Sequence, residues 1–106
     1  MYKFMRIIVF FDLPTAKKRD RKNYAIFRRF LLNDGYHMLQ FSVYSRICNG
    51  YDSVKKHIKK LNNNLPPNGS IRVLTLTEKQ YVGMELLVSK ERSPEEKIGT
   101  SKTIII

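Results

Sequence analysis

The chain has 106 residues, 42% apolar and 11% aromatic, which is enough for one domain with one modest core. Twenty Lys and Arg against nine Asp and Glu leave a formal net charge of +11. A single cysteine, Cys48, excludes an intramolecular disulfide, and His37 and His57 lie near no cysteine pair that would complete a zinc site. A chain this basic repels itself and is drawn to polyanions, of which nucleic acid is the commonest in a cell.

Residues 2–12 are rich in β-branched and aromatic side chains and read as a central strand buried on both faces, stopped by Leu13-Pro14. No run approaches the ~20 apolar residues that span a membrane. The apolar stretch Ile7 to Phe11 ends in Asp12 without a small-residue cleavage site, so a cytoplasmic protein is expected.

Thr15 suits a helix N-cap, and residues 16–33 follow as a helix with Gly35 just past its end. On a wheel of about 100° per residue, Ala16, Tyr24, Phe27, Phe30 and Leu31 fall on one side. Lys17, Lys18, Arg21, Lys22, Arg28 and Arg29 fall on the other. Asp20 and Asn23 interrupt the apolar side near the start, so that half is expected to pack weakly.

Residues 36–48 alternate, with Leu39, Phe41, Val43 and Ile47 on one face. No Gly, Pro or Asn marks a hairpin, and both one long strand and two strands with a tight bend remain open. Asn49-Gly50 is a turn. Asp52 or Ser53 can then cap a second helix to about residue 64, with Val54, Ile58, Leu61 and Leu65 opposite Lys55, Lys56, Lys59 and Lys60. Residues 62–69 are a loop by composition. Ser70 to Thr77 alternates as a strand, and residues 80–88 read as a further apolar strand. Residues 89–106 are polar until Ile104 to Ile106 and read as a flexible tail with a docking tip.

The order suits an α+β, ferredoxin-like βαββαβ domain over residues 1–88 with both helices on one face. The last strand is surplus to that fold and invites pairing with another chain, so a homodimer is expected.

Two features carry chemistry. Seven cations lie between Lys17 and Arg29: Lys17, Lys18, Arg19, Arg21, Lys22, Arg28 and Arg29. A solvated helix face ordinarily mixes both signs, so this one reads as a row of phosphate contacts. The second feature is Asp12, which must be solvated, capped or bound to a cation. The chain alone favours a carboxylate capping the turn at Leu13-Pro14-Thr15. The rival reading is a magnesium ligand that a two-fold axis would complete with a second carboxylate. No Gly-rich phosphate loop or nucleophilic triad is suggested by spacing.

Three stretches now take on a pattern. They are Val9-Phe10-Phe11-Asp12-Leu13-Pro14, then Gly35-Tyr36 with Gln40-Phe41-Ser42-Val43-Tyr44, then Gly69-Ser70-Ile71-Arg72-Val73-Leu74. Together they resemble the CRISPR-associated endoribonuclease family, the small second core protein of the spacer-acquisition module. Residues 76–81 are similar to the branch found with the large RNA-guided nuclease. The resemblance implies a ferredoxin-like homodimer joined through C-terminal strands. It also implies Asp12 as catalytic and metal-binding residue, with Mg2+ (or Mn2+) as cofactor. It further implies a metal-dependent endonuclease acting on RNA or DNA, with duplex DNA and the CRISPR integrase, the first core acquisition protein, as partners. A non-catalytic scaffold bridging integrase dimers and a stand-alone toxin-type ribonuclease are the alternatives. The chain departs from the family pattern at Met38, where Arg is common, and at Ser45, where an acidic residue is common. The second departure is expected to remove an acidic group near Asp12.

Overall fold

The computed structural model describes residues 4–89. The elements, in order, are β1 (Phe4–Asp12), α1 (Lys18–Asn33), β2 (His37–Gln40), β3 (Val43–Asn49), α2 (Tyr51–Asn62), β4 (Ser70–Thr77) and a short α3 (Glu78–Val82). The four strands form one sheet in the order β2-β3-β1-β4. Both neighbours of β1 run antiparallel to it. This is the ferredoxin-like arrangement expected from the order of elements, in which β1-α1-β2 and β3-α2-β4 interlock. The tail from residue 90 onward, and the first two residues of the strand read over 2–12, lie outside the described residues.

β1 owes its central place to its composition. Met5, Ile7, Val9 and Phe11 point to the helices and are all buried. There they meet Phe27 and Leu31 of α1 and Val54 and Leu61 of α2 in one core cluster. Phe11 alone holds three rings at centroid distances of 5.3 Å (Phe27), 5.6 Å (Tyr44) and 5.9 Å (Tyr24). Aromatic pairs at that range add about 0.5–1.5 kcal/mol each beyond area burial. The opposite face of β1 carries Phe4, Arg6, Ile8, Phe10 and Asp12, and only Ile8 of these is fully buried. The strand is therefore covered on one face and mostly open on the other.

Several boundaries differ from the expectation. α1 starts at Lys18, with Lys17 rather than Thr15 at the N-cap. Asp20 explains the shift, because its carboxylate accepts the Lys17 backbone N–H at 3.3 Å. The Arg21 guanidinium donates to the carbonyls of Thr15 and Ala16, which keeps them out of the helix. α2 starts at Tyr51, before both expected caps, following Gly50 at φ +96°.

Residues 36–48 are two strands. Phe41 and Ser42 form the tight connection, with Ser42 at φ +64°. Two-residue hairpin loops require such angles, and Ser supplies one here where Gly or Asn is usual. The buried side chains of β3 are Tyr44, Ser45 and Cys48. Val43 and Ile47, grouped as one face with Leu39 and Phe41, lie on the open side of the sheet, where Ile47 pairs with Arg6.

The strand expected over residues 80–88 is not formed. Glu78–Val82 is helical, because Thr77 and Gln80 make a reciprocal capping box. The Thr77 hydroxyl accepts from the Gln80 N–H, and the Gln80 side chain accepts from the Thr77 N–H. α3 is fastened to the open face by Arg6. Its guanidinium donates to both Glu78 oxygens at 2.8 and 3.3 Å, donates to Ser45 Oγ, and lies 4.1 Å from the Tyr81 ring centroid. Residues 84–89 hold no regular structure, and Met84, Leu86, Leu87 and Val88 are exposed.

The end of α1 is bound to α2 by one carboxylate. Asp34 receives His57 Nδ1 at 2.8 Å and Lys60 Nζ at 3.3 Å, with the Asp34 and His57 side chains both nearly buried. Removing one member of such a pair strands the other. Asp34→Ala should therefore cost about 2–3 kcal/mol in urea unfolding. With His57→Ala already present, the same change should cost clearly less.

Candidate functional site

Asp12 ends β1 opposite Ser70, the first residue of β4. It is exposed, and among the described residues its carboxylate has no hydrogen-bond or ion-pair partner. It does not cap the turn at Leu13-Pro14-Thr15, so that reading is set aside. What holds Asp12 is its backbone. Gly69, at φ +107°, closes against it so tightly that a Cβ at position 69 would lie 2.8 Å from the Asp12 carbonyl oxygen and 2.5 Å from Leu13 Cδ2. Gly69 is thus a residue of the site that the sequence showed as the end of a loop and the start of the third family-like stretch, without a structural role. The Asn68-Gly69 dipeptide directly before a strand was the available signal.

The open face around Asp12 is set by register. Phe10 lies between Val43 of β3 and Arg72 of β4, and Asp12 follows one row further along. Ser45 pairs with Ile8, four residues from Asp12. At about 3.3 Å per residue that is roughly 13 Å away. The expectation that an acidic residue at position 45 would sit near Asp12 is therefore corrected. Ser45 is buried and occupied with Arg6.

The cations divide into groups. All seven from Lys17 to Arg29 are exposed. Arg21 is engaged with the Thr15 and Ala16 carbonyls, and Arg28 Nε donates to the buried Tyr44 hydroxyl at 3.0 Å. Lys18, Lys22 and Arg29, at i, i+4 and i+11, lie directly away from Phe27 and Leu31. Arg19 lies on a flank beside Ile26. Lys18, Arg19, Lys22 and Arg29 make no side-chain hydrogen bond or ion pair among the described residues. The five-residue connection from Asp12 to Lys18 brings the basic start of α1 to the carboxylate's end of the sheet.

Among the described residues no group of three or more His, Cys, Asp and Glu could hold a metal ion. Asp12 is the hard oxygen donor that Mg2+ prefers, and Mg2+ keeps several waters, so the residue type fits. One carboxylate per chain makes only part of a site. Tyr36, on the helix side, has its phenol pushed upward by burial and then by the charge of Asp34, and it takes no part here.

A small ferredoxin-like domain with one basic helix and one free carboxylate at the end of its central strand is the class that these features define. Residues 5–84 match the family model described as CRISPR associated protein Cas2. Relatives that carry the name CRISPR-associated endoribonuclease Cas2 include the following three. The protein of Acidovorax ebreus (strain TPSY) is 56% identical over 92% of this chain and 96% of its own length. That of Campylobacter jejuni is 50% identical over 81% of this chain and 60% of its own length. That of Treponema denticola is 38% identical over 96% and 99%. The chain belongs to the Cas2 family.

The Gly69 contact yields a prediction. Gly69→Ala combines a positive φ with overlap against backbone, so it should destabilise the fold by about 2–3 kcal/mol in urea unfolding. Gly50→Ala, at φ +96° with nothing within 4 Å of its Cβ, should cost distinctly less.

Proposed function

We propose that this chain is a metal-dependent endonuclease subunit of the CRISPR spacer-acquisition machinery, working as a homodimer. The observation that carries the reading is Asp12: an exposed carboxylate without a partner among the described residues, braced by Gly69, beside the basic start of α1. Two copies of Asp12 related by a two-fold axis would hold one Mg2+ or Mn2+ between them. Bound there, such an ion supplies a Lewis acid for a phosphoryl oxygen and lowers the pKa of a coordinated water. The chain's own work is to place the carboxylate and to hold the backbone of duplex DNA, or of RNA, through Lys18, Lys22 and Arg29. Those contacts read phosphate and carry no sequence information.

The open sheet face supports the homodimer. Phe4, Phe10, Ile47 and Leu74 are exposed there, on the same side as Asp12. Exposed apolar side chains grouped on one face of a sheet are characteristic of an interface. A second copy seated on that face would bring the two carboxylates toward one another. Residues 84–88, apolar but for Glu85, offer it an additional strand, since an extended run needs a neighbour for its backbone groups. The integrase is the remaining partner in this reading.

A non-catalytic DNA-binding scaffold is the second reading, favoured by the four cations of α1 that make no side-chain hydrogen bond or ion pair among the described residues. One comparison separates the two. Wild type and Asp12→Asn, purified identically, are assayed on RNA and duplex DNA with Mg2+, Mn2+ and EDTA, and integrase association is measured on the same samples. The enzyme reading expects cleavage that needs metal and is lost in Asp12→Asn while binding survives. Equal or absent cleavage in both proteins, with binding and association retained, identifies the scaffold.

The phosphate contacts are tested separately. Each of Lys18→Ala, Lys22→Ala and Arg29→Ala should weaken duplex binding and lower the salt slope by about one unit. Arg28→Ala is a poor substitute, because it also releases the Tyr44 hydroxyl. Unchanged slopes in all three variants would remove the basic face from the interface.

A further inference from the structure

The tip of the β2–β3 hairpin holds an aromatic ring that nothing in the fold uses. Phe41 is 84% exposed, more than any other large apolar side chain among the described residues. It is held out by a defined backbone. Ser42, next to it, sits at φ +64°, a region that non-glycine residues rarely adopt and that recurs where a turn positions a functional group. The Ser42 carbonyl accepts the Phe11 N–H at 3.0 Å, and Val43 pairs with Phe10. The hairpin tip is therefore fastened to β1 at the residue immediately before Asp12.

The surroundings decide what such a ring is for. Its immediate chain neighbours Gln40 and Ser42 are polar, and the ring stands out further than Met38 and Leu39 of β2, which are 50% and 36% exposed. Lys17 and Lys18 begin the basic helix within six residues of Asp12, and Arg72 flanks Phe10 on the same side of the sheet as the carboxylate. An exposed ring on a hairpin tied to the strand that carries Asp12, at the end of the sheet where the basic helix begins, is the chemistry that captures an unpaired nucleobase, with the ring stacking on the base while cations hold the phosphates. Bases inside a duplex keep their faces covered by their neighbours and offer nothing to the ring.

We infer that Phe41 is a stacking platform for an unpaired base of the nucleic acid held beside Asp12. This rests on the nucleic-acid reading above and deepens it, since it gives the site a preference for a strand with at least one unstacked base at the carboxylate. Because stacking is indifferent to base identity, the preference is for single-stranded character and not for sequence.

The test uses the full chain, EDTA throughout, and fluorescence anisotropy with three probes: a labelled single-stranded RNA 12-mer, an abasic strand of the same length and charge, and a duplex DNA of the same length. Phe41→Ala should weaken binding of the base-bearing strand about tenfold. It should leave the abasic strand and the salt slope near wild type, and Phe41→Trp should restore the affinity. The side chain is outside the core, so circular dichroism and thermal midpoint should not move. Wild-type affinity of Phe41→Ala for the base-bearing strand overturns the inference, as does an equal loss on both strands. A shift of Phe41→Ala to a smaller species in sedimentation also overturns it and makes Phe41 a contact to a second copy. If wild type binds the duplex DNA but neither single strand at low salt, the platform is overturned; if it binds none of the three, the nucleic-acid reading itself fails. If wild type binds and only the Phe41 effect is missing, that reading stands and the platform alone is withdrawn.

Discussion

Everything in this domain is arranged around the pairing of β1 on both of its edges. A strand hydrogen-bonded on two sides has no freedom to slip, because a shift of one residue would exchange Ile7, Val9 and Phe11 for Arg6, Ile8 and Phe10 on the helix side. That single register sets the core, the placement of α1 over Phe11, and the position of Asp12 at the exact point where pairing with β4 begins. The carboxylate is exposed because it ends the strand, and it is fixed because the strand is central. Gly69 adds the last constraint, closing the start of β4 onto the Asp12–Leu13 backbone with no room for a side chain.

The same geometry separates the charges by role. Asp34, Asp20 and Glu78 are engaged with His57 and Lys60, with the α1 cap, and with Arg6. Arg28, Arg21 and Arg46 likewise serve the fold, through Tyr44 and through backbone carbonyls. Among the described residues, Asp12 at one end of the sheet and the outer stripe of α1 are left without such engagements, as are Lys55, Lys56 and Lys59 of α2. The excess of positive charge in the sequence is thus smaller in its functional part than a count of cations along the helix suggests, and more localised.

Much of this was legible in the residues. The β-branched and aromatic run of β1, the 3.6-residue stripes of both helices and the alternation of β4 each state a local geometry, and their order admits the ferredoxin-like sheet. The family pattern could be read because its residues, Asp12 and Gln40 to Tyr44 among them, are spread in a fixed order over the whole domain. Where reading failed, a local competitor was overlooked. Thr77 and Gln80 form a capping box, and that pair outweighs the apolar appearance of residues 80–82. Ser42 takes a left-handed turn that its residue type does not advertise.

The sequence by itself determined β1, both long helices, β4, the net charge and the family, because each depends on residues close together or on a pattern of types along the chain. Only the tertiary structure decided which groups are free to act. Whether Arg28 can meet a phosphate depends on Tyr44, sixteen residues away. Whether position 45 bears on Asp12 depends on strand register, and whether Gly69 matters depends on the backbone it touches across the sheet. Those are facts of proximity between distant residues, and periodicity carries no information about them.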